Sequence, residues 1–275
     1  MTDTGTVTHE RRIDRYPLKR RVLEVAEVEH ITPRMVRVHL EGPDFEGLRS
    51  DNFADHVKLW FPTDDGEHVL PIVEDDRCLN FREPGAIYRD YTIRAIDHEQ
   101  QRVSIDFVVH DHGPAGRWVA DARPGQKLGV LGPRGTVSMT GEYDYHVLVA
   151  DETALPAAAR YIEELPAHAK VLAFFEVVDA AEEQKIRAPE DSQITWFHRG
   201  RAEAGSTEFL LEALRDLEFP AGDGFVWAAG EADMLKPIRR LLKERGFVRN
   251  RTYAVDGYWR RGTSNLDHHK ADDDD

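Results

Sequence analysis

Along residues 21–141 apolar and polar positions alternate in short runs. Val36, Val38 and Leu40 take turns with polar neighbours, as do Val57, Leu59 and Phe61, and later Val103, Ile105 and Phe107. A period of two marks a half-buried antiparallel strand. Breaks rich in Gly, Pro and Asp separate the runs: EGPDFEG at 41–47, PTDDGE at 62–67, EPGA at 83–86, RPGQ at 123–126 and LGPRG at 131–135. Short strands at this spacing predict a small antiparallel barrel.

From about Glu142 the rhythm changes. HVLVA at 146–150, VLAFFEVV at 171–178 and FVWAAG at 225–230 are continuous apolar runs, as expected of parallel strands covered on both faces. ITWFH at 194–198 and TYAVDGYW at 252–259 read as further strands. Helical stretches lie between them. One is alanine-rich and runs through Leu165. A second, capped by Ser206, carries Phe209, Leu210, Ala213, Leu214 and Leu217 on one face. The third spans 231–245, with Pro237 near its first turn or at a kink and Gly246 as its stop. Alternation of strand and helix predicts an open parallel α/β sheet. The organisation expected is a polar arm (1–20), a barrel domain (21–141), an α/β domain (142–262) and an acidic, disordered tail (263–275).

Composition narrows the chemistry. The single cysteine, Cys78, rules out an intrachain disulfide and a four-cysteine iron–sulfur cluster from one chain. A net charge of −15, from 51 acidic and 36 basic residues, argues against nucleic acid as a partner. No apolar run approaches the ~18 residues of a membrane helix, and the first twenty residues hold no apolar signal region. The expectation is a soluble, cytoplasmic monomer. No metal site is expected: His268 and His269 are adjacent histidines near a disordered end, which is no preformed site.

The segment Arg89-Asp90-Tyr91-Thr92-Ile93-Arg94 carries the first candidate chemistry. On a strand, residues two apart share a face. Arg89 and Tyr91 can therefore lie along one extended ligand. A guanidinium pairs bidentately with phosphate oxygens, and a tyrosine ring packs on a flat conjugated ring. This segment resembles the RxY[ST] signature of the ferredoxin reductase superfamily. Downstream, Asp106-Phe107-Val108-Val109-His110 leads into Gly113-Pro114-Ala115-Gly116-Arg117-Trp118. Gly113 and Gly116 allow close backbone approach, Pro114 suits a first helical turn, and a helix start can hold a phosphate. His110 can bond a ribose or phosphate, or only protein, and Trp118 suits the core beneath the helix. The run HxxGPAxxW resembles the siderophore-interacting branch of that superfamily. Three later segments resemble the same family: Asp151-Glu152-Thr153-Ala154-Leu155-Pro156-Ala157, Ala228-Ala229-Gly230-Glu231, and Gly257-Tyr258-Trp259-Arg260-Arg261-Gly262.

The resemblance implies a six-stranded Greek-key FAD-binding barrel followed by a nucleotide-binding α/β sheet. It implies FAD along Arg89, Tyr91, Thr92, Ile93 and Arg94, with Asp106, Val108, His110, Gly113, Pro114, Ala115 and Trp118. Thr92, near the flavin N5, is the catalytic candidate. NADPH or NADH would meet Asp151, Thr153, Ala154, Gly230, Glu231 and Trp259. The 151–157 loop has no glycine, so it departs from the GxGxxG fingerprint and leaves a backbone cradle for phosphate in doubt. Glu176 suits a ribose hydroxyl and NADH, whereas Arg199 and Arg201 suit a 2′-phosphate and NADPH. The implied activity passes electrons from NAD(P)H through FAD to iron(III) in a catecholate or hydroxamate siderophore. A ferredoxin is an alternative electron donor. The same scaffold also serves general ferredoxin or flavodoxin reductases, and a siderophore-binding module without chemistry is a third reading. Anionic ferric complexes need local positive charge. Lys58, Arg134, Arg260 and Arg261 are the candidates, each equally at home as a solvated surface charge.

Overall fold

The computed structural model of the protein describes residues 9–110 and 113–263. The expectations for the tail and for His268 and His269 lie outside these residues. The chain divides into two compact units, one of Asp14–Thr136 with Ala181–Lys185 and the other of the remainder.

The first strands are β1 (Arg11–Arg15), β2 (Arg20–Thr32), β3 (Met35–Glu41), β4 (His56–Phe61), β5 (Val73–Glu74) and β6 (Arg77–Cys78). They are followed by β7 (Ile87–Thr92), β8 (Ala95–Asp97), β9 (Arg102–Val108), helix α1 (Gly113–Ala120), β10 (Lys127–Leu131) and β11 (Gly135–Met139). Strand β1 falls within the polar stretch read as an arm and pairs with β11 in a two-stranded ribbon. A seven-stranded antiparallel sheet runs β7-β4-β10-β2-β3-β9-β8. Its two edges, β7 and β8, are consecutive in the chain and separated only by Ile93 and Arg94. The Ile93 amide donates to the Asp55 carbonyl (2.8 Å) and the Arg94 amide to the Ser104 carbonyl (2.9 Å). One bent strand thus bonds to both sides of the sheet and closes the barrel. The strand elements number seven rather than the expected six because this strand breaks at its bend. The last strand, β10, returns to lie between β2 and β4, a Greek-key connection.

The alternating residues fill the interior as their period demands. Val36, Val38, Leu40, Val57, Leu59, Phe61, Val103, Ile105 and Phe107 form one buried cluster, which Ala115, Trp118 and Val119 of α1 join. Each such side chain removed from water contributes roughly 1.5–3 kcal/mol.

The second unit holds β12 (Tyr145–Asp151), α2 (Leu155–Glu164), β13 (Val171–Val177), β14 (Ser192–His198), α3 (Phe209–Asp216), β15 (Gly224–Glu231), α4 (Ala232–Glu244) and β16 (Tyr253–Trp259). The five strands are parallel in the order β14-β13-β12-β15-β16. The chain starts at the centre on β12, moves outward to β14, then resumes on the other side of β12 with β15. The order therefore reverses between β12 and β15, and ligands of such sheets bind beyond the strand ends at that point. Leu210, Leu214, Leu235, Ile238 and Leu242 of α3 and α4 pack over Val147, Val149, Val226 and Ala228.

Two local features depend on the surroundings. Ser206 does not cap α3; its hydroxyl donates to the Glu203 carbonyl, inside the preceding turn. Pro237 lies inside α4, past the first turn, while the Glu231 carboxylate caps that helix through the Met234 amide (2.8 Å).

Candidate cofactor and substrate sites

The flavin-type candidates sit on β7 and its surroundings in the barrel unit. Register pairs Arg89 with Leu59, Tyr91 with Val57, Asp90 with Lys58 and Thr92 with His56. Directly paired residues share a face. Arg89 and Tyr91 therefore share the face of Leu59 and Val57, and Tyr91 packs at 4.3 Å on Phe107. Burial pushes the Tyr91 phenol far up, so it stays neutral. Asp90 and Thr92 occupy the opposite face.

Arg89 gives the test of whether FAD fits. Its guanidinium is half-buried, and that burial lowers its pKa from the ordinary range, with Tyr91, Tyr88 and Asp90 acting the other way. Its hydrogen bond is to the Tyr88 carbonyl (2.6 Å), and among the described residues no carboxylate pairs with it. A desolvated cation without an anion is costly in a folded protein. A phosphate would relieve that cost, with Tyr91 two residues away for a conjugated ring. Thr92 is nearly buried, and its hydroxyl bonds no described residue. These residues fit an FAD.

The neighbouring candidates differ in their surroundings. Ile93 is fully buried in the barrel core, so only its backbone is open to a ligand. Asp106 is also buried, and Arg37 grips it bidentately (2.7 and 2.8 Å) with Arg94 at 3.7 Å. Its carboxylate is thus committed to protein cations and fixes Arg94. Val108 ends β9. Ala115 and Trp118 are core residues, Trp118 lying 5.6 Å from Phe61. Gly113 has a left-handed φ of 77° at the start of α1, and Pro114 follows it. A Cβ on Gly116 would stand 2.3 Å from the His110 carbonyl oxygen. The close approach read from Gly116 is therefore made by His110 of the protein itself.

In the α/β unit, the candidates read from three separate segments converge at the strand ends where the sheet order reverses. Asp151 is buried at the end of β12. Its Oδ1 accepts from the Thr153 amide (2.9 Å), the Thr153 hydroxyl (2.6 Å) and the Ala154 amide (3.3 Å). Its Oδ2 accepts from the Glu231 amide (3.0 Å) and the Trp259 indole (2.8 Å). Gly230, at φ 149°, is required there, because a Cβ would lie 2.6 Å from that oxygen. Burial nonetheless pushes the Asp151 carboxyl up. Glu152 is pushed up to about 7 by burial and by Asp151, although Arg199 grips it with two bonds (2.5 and 2.7 Å). Glu176 is buried, with one oxygen bonded to the Thr207 hydroxyl and the other without a protein partner. Arg199 and Glu176 are therefore not solvated loop charges, whereas Arg201 is exposed. In the turn before α2 the Thr153 and Ala154 amides are taken by Asp151, and the carboxylates of Glu152 and Glu176 crowd beside it.

The basic candidates do not share one character. Lys58 is paired with Asp90 (2.7 and 2.8 Å). Arg134 is half exposed and meets Asp76 (3.2 Å). Arg261 is exposed near Glu203 (3.6 Å). Arg260 stands apart: its Nε and one terminal nitrogen are buried without hydrogen-bond partners, with Asp233 only at 3.7 Å. Arg37 and Gly205 were not singled out in the sequence. A Cβ on Gly205 would lie 2.6 Å from Glu231, beside Trp259. No local pattern marks either residue, since both are defined by partners distant in the chain.

Residues 24–137 match the siderophore-interacting FAD-binding domain and residues 143–262 the siderophore-interacting protein domain. The chain is 32% identical over 255 residues to the ferric vibriobactin reductase ViuB of Vibrio cholerae, covering 91% of this chain and 93% of that one. It is 33% identical over 254 residues to the NADPH-dependent ferric-chelate reductase of Escherichia coli, covering 89% and 97%. A siderophore utilization protein from T. fusca superimposes with a TM-score of 0.93 at 68% identity, covering 94% of this chain and 100% of that one. The chain belongs to the siderophore-interacting protein family.

Proposed function

We propose that this protein is an FAD-dependent ferric-siderophore reductase that takes its electrons from a nicotinamide nucleotide, NADPH or NADH. The observation that carries the reading is the half-buried Arg89, without an ion pair among the described residues, beside Tyr91 and Thr92 in a stretch matching a FAD-binding domain. The names of the Vibrio and Escherichia relatives supply the ferric substrate and, for the latter, NADPH.

FAD, when bound, supplies the ability to accept electrons in pairs and release them singly. The chain supplies position and charge. When FAD is bound, Arg89 would neutralise a phosphate, Tyr91 would pack on the ring system, and the Thr92 hydroxyl, which bonds no described residue, would be available to hydrogen-bond the cofactor. Arg94 is held by Asp106, which Arg37 anchors in turn. Lys58, whose ammonium is shared with Asp90, is one candidate contact for an anionic ferric complex, and Arg260 is a separate one. Reduction to iron(II) weakens the fit to hard oxygen ligands, so the siderophore lets go. This requires no nucleophile or general acid from the protein, and electron transfer tolerates looser contact than bond-making.

Anaerobic rapid mixing tests the reading. Purified protein should be yellow, with a band near roughly 450 nm that belongs to oxidised flavin. NADPH or NADH should bleach it, and ferric catecholate or hydroxamate complexes should restore it. A folded, colourless sample that refuses added FAD would end the redox reading. Normal bleaching without ferric reoxidation would end only the choice of substrate.

A further inference from the structure

The head of α2 is where a dinucleotide-binding sheet ordinarily holds phosphate: backbone amides converge, and the sheet order reverses beside it. In this chain the donors that converge just before α2 are already answered from within. The Thr153 and Ala154 amides from the β12–α2 turn, the Glu231 amide from the end of β15 and the Trp259 indole from β16 all donate to the two oxygens of Asp151. Gly230 keeps the space in which that carboxylate sits. Glu152 and Glu176 flank it, and Glu231 lies on the far side with its own carboxylate turned to the Met234 and Arg261 amides.

We propose that Asp151 is a built-in substitute for the phosphate: it fills the anion position at the head of α2 and excludes a nucleotide diphosphate from it. The electron donor of the proposed reaction is then recognised without a backbone diphosphate cradle. Asp151 is thereby a specificity-determining residue that rejects ligands relying on such a cradle. Like charges at hydrogen-bond range repel, and displacing Asp151 would break five hydrogen bonds and leave a buried carboxylate unpaired. A diphosphate offers no compensation for that loss.

The test uses the full chain saturated with FAD, so that adenine nucleotides cannot enter the flavin site. ADP-ribose and inorganic pyrophosphate are titrated while the amide resonances of Thr153, Ala154 and Glu231 are followed by NMR. These should stay in place up to millimolar ligand. Saturable shifts at these amides would overturn the proposal. In a second arm, Asp151→Asn removes the charge at nearly constant size. Its affinity for ADP-ribose should rise by about tenfold or more, the scale of one charge-assisted hydrogen bond. A folded Asp151→Asn protein that binds ADP-ribose no better than wild type would also overturn it. If that variant does not fold, the wild-type titration decides alone. The proposal bears on the donor side of the reductase reading, but neither arm measures ferric turnover. A wrong iron substrate would therefore leave these results unchanged.

Discussion

A guanidinium costs much to take out of water, and Arg89 and Arg260 are both half-buried with incomplete hydrogen bonding. Arg89 has only a backbone carbonyl, and Arg260 has Asp233 at 3.7 Å with two nitrogens unbonded. Lys58, by contrast, has an ion-pair partner in Asp90 at 2.7 Å. The three cations should therefore respond differently to removal. Arg89→Ala should weaken FAD by about ten- to a hundredfold, the worth of a charge-assisted contact. Flavin retained through gel filtration measures it, and Arg89→Lys should recover only part, because an ammonium lacks the bidentate fork. Lys58→Ala should leave flavin content normal and weaken anionic ferric complexes several-fold; unchanged affinity would remove Lys58 from the substrate site. The residue types in Arg89-Asp90-Tyr91-Thr92 were legible in sequence because a strand's period places alternate side chains together. That Asp106 is held by Arg37 was not, since the pair lies 69 residues apart and depends on the register of β3 against β9.

At the scale of elements, helix α1 shows how a short motif acts through packing. Its Ala115, Trp118 and Val119 enter the barrel core, and its Gly116 lies against the His110 backbone and ring. Any side chain at 116 must push His110, a main-chain contact that cannot rotate away. Gly116→Ala should destabilise the barrel by about 1–3 kcal/mol, the usual range for overpacking. Urea unfolding followed by tryptophan fluorescence measures this, and a change below ~0.5 kcal/mol would show that α1 can shift freely. The helices themselves followed from apolar spacing. Their caps did not: α4 is capped by the last residue of β15, Glu231, and α3 lacks the serine cap that its sequence offered. Caps depend on where a chain turns, which is set by the element it leaves.

For the molecule as a whole, burial of titratable groups sets a pH response. His146, on β12, is enclosed with Tyr161, whose hydroxyl lies 2.8 Å from its Nδ1, and burial pushes its pKa down to about 4. Its value in an unfolded chain is about 6.5. Between these values the unfolded state binds the proton and the folded state does not, so stability falls as pH drops from about 6.5 to 4. The contribution is about 3 kcal/mol at most over that span. Glu152, pushed up to about 7, acts in the opposite sense, losing stability as pH rises from its ordinary carboxylate range through 7. The difference between wild type and His146→Gln therefore isolates the histidine. Thermal melts at pH 4 to 7 should show a flatter acid limb for the variant, and parallel curves would exclude His146 as a source of acid sensitivity.

The amino-acid sequence alone determined the two rhythms, the barrel followed by a parallel sheet, and the order of the family segments. Those are properties of neighbours along the chain: side-chain period, turn residues and apolar runs. Only the tertiary structure decided what the charged residues of those segments do. Asp151, Gly230, Glu231 and Trp259 come from three strands, and their meeting depends on β15 lying between β12 and β16. Whether a carboxylate faces a ligand or receives five hydrogen bonds from its own chain is settled by that strand order, through distances no local pattern encodes.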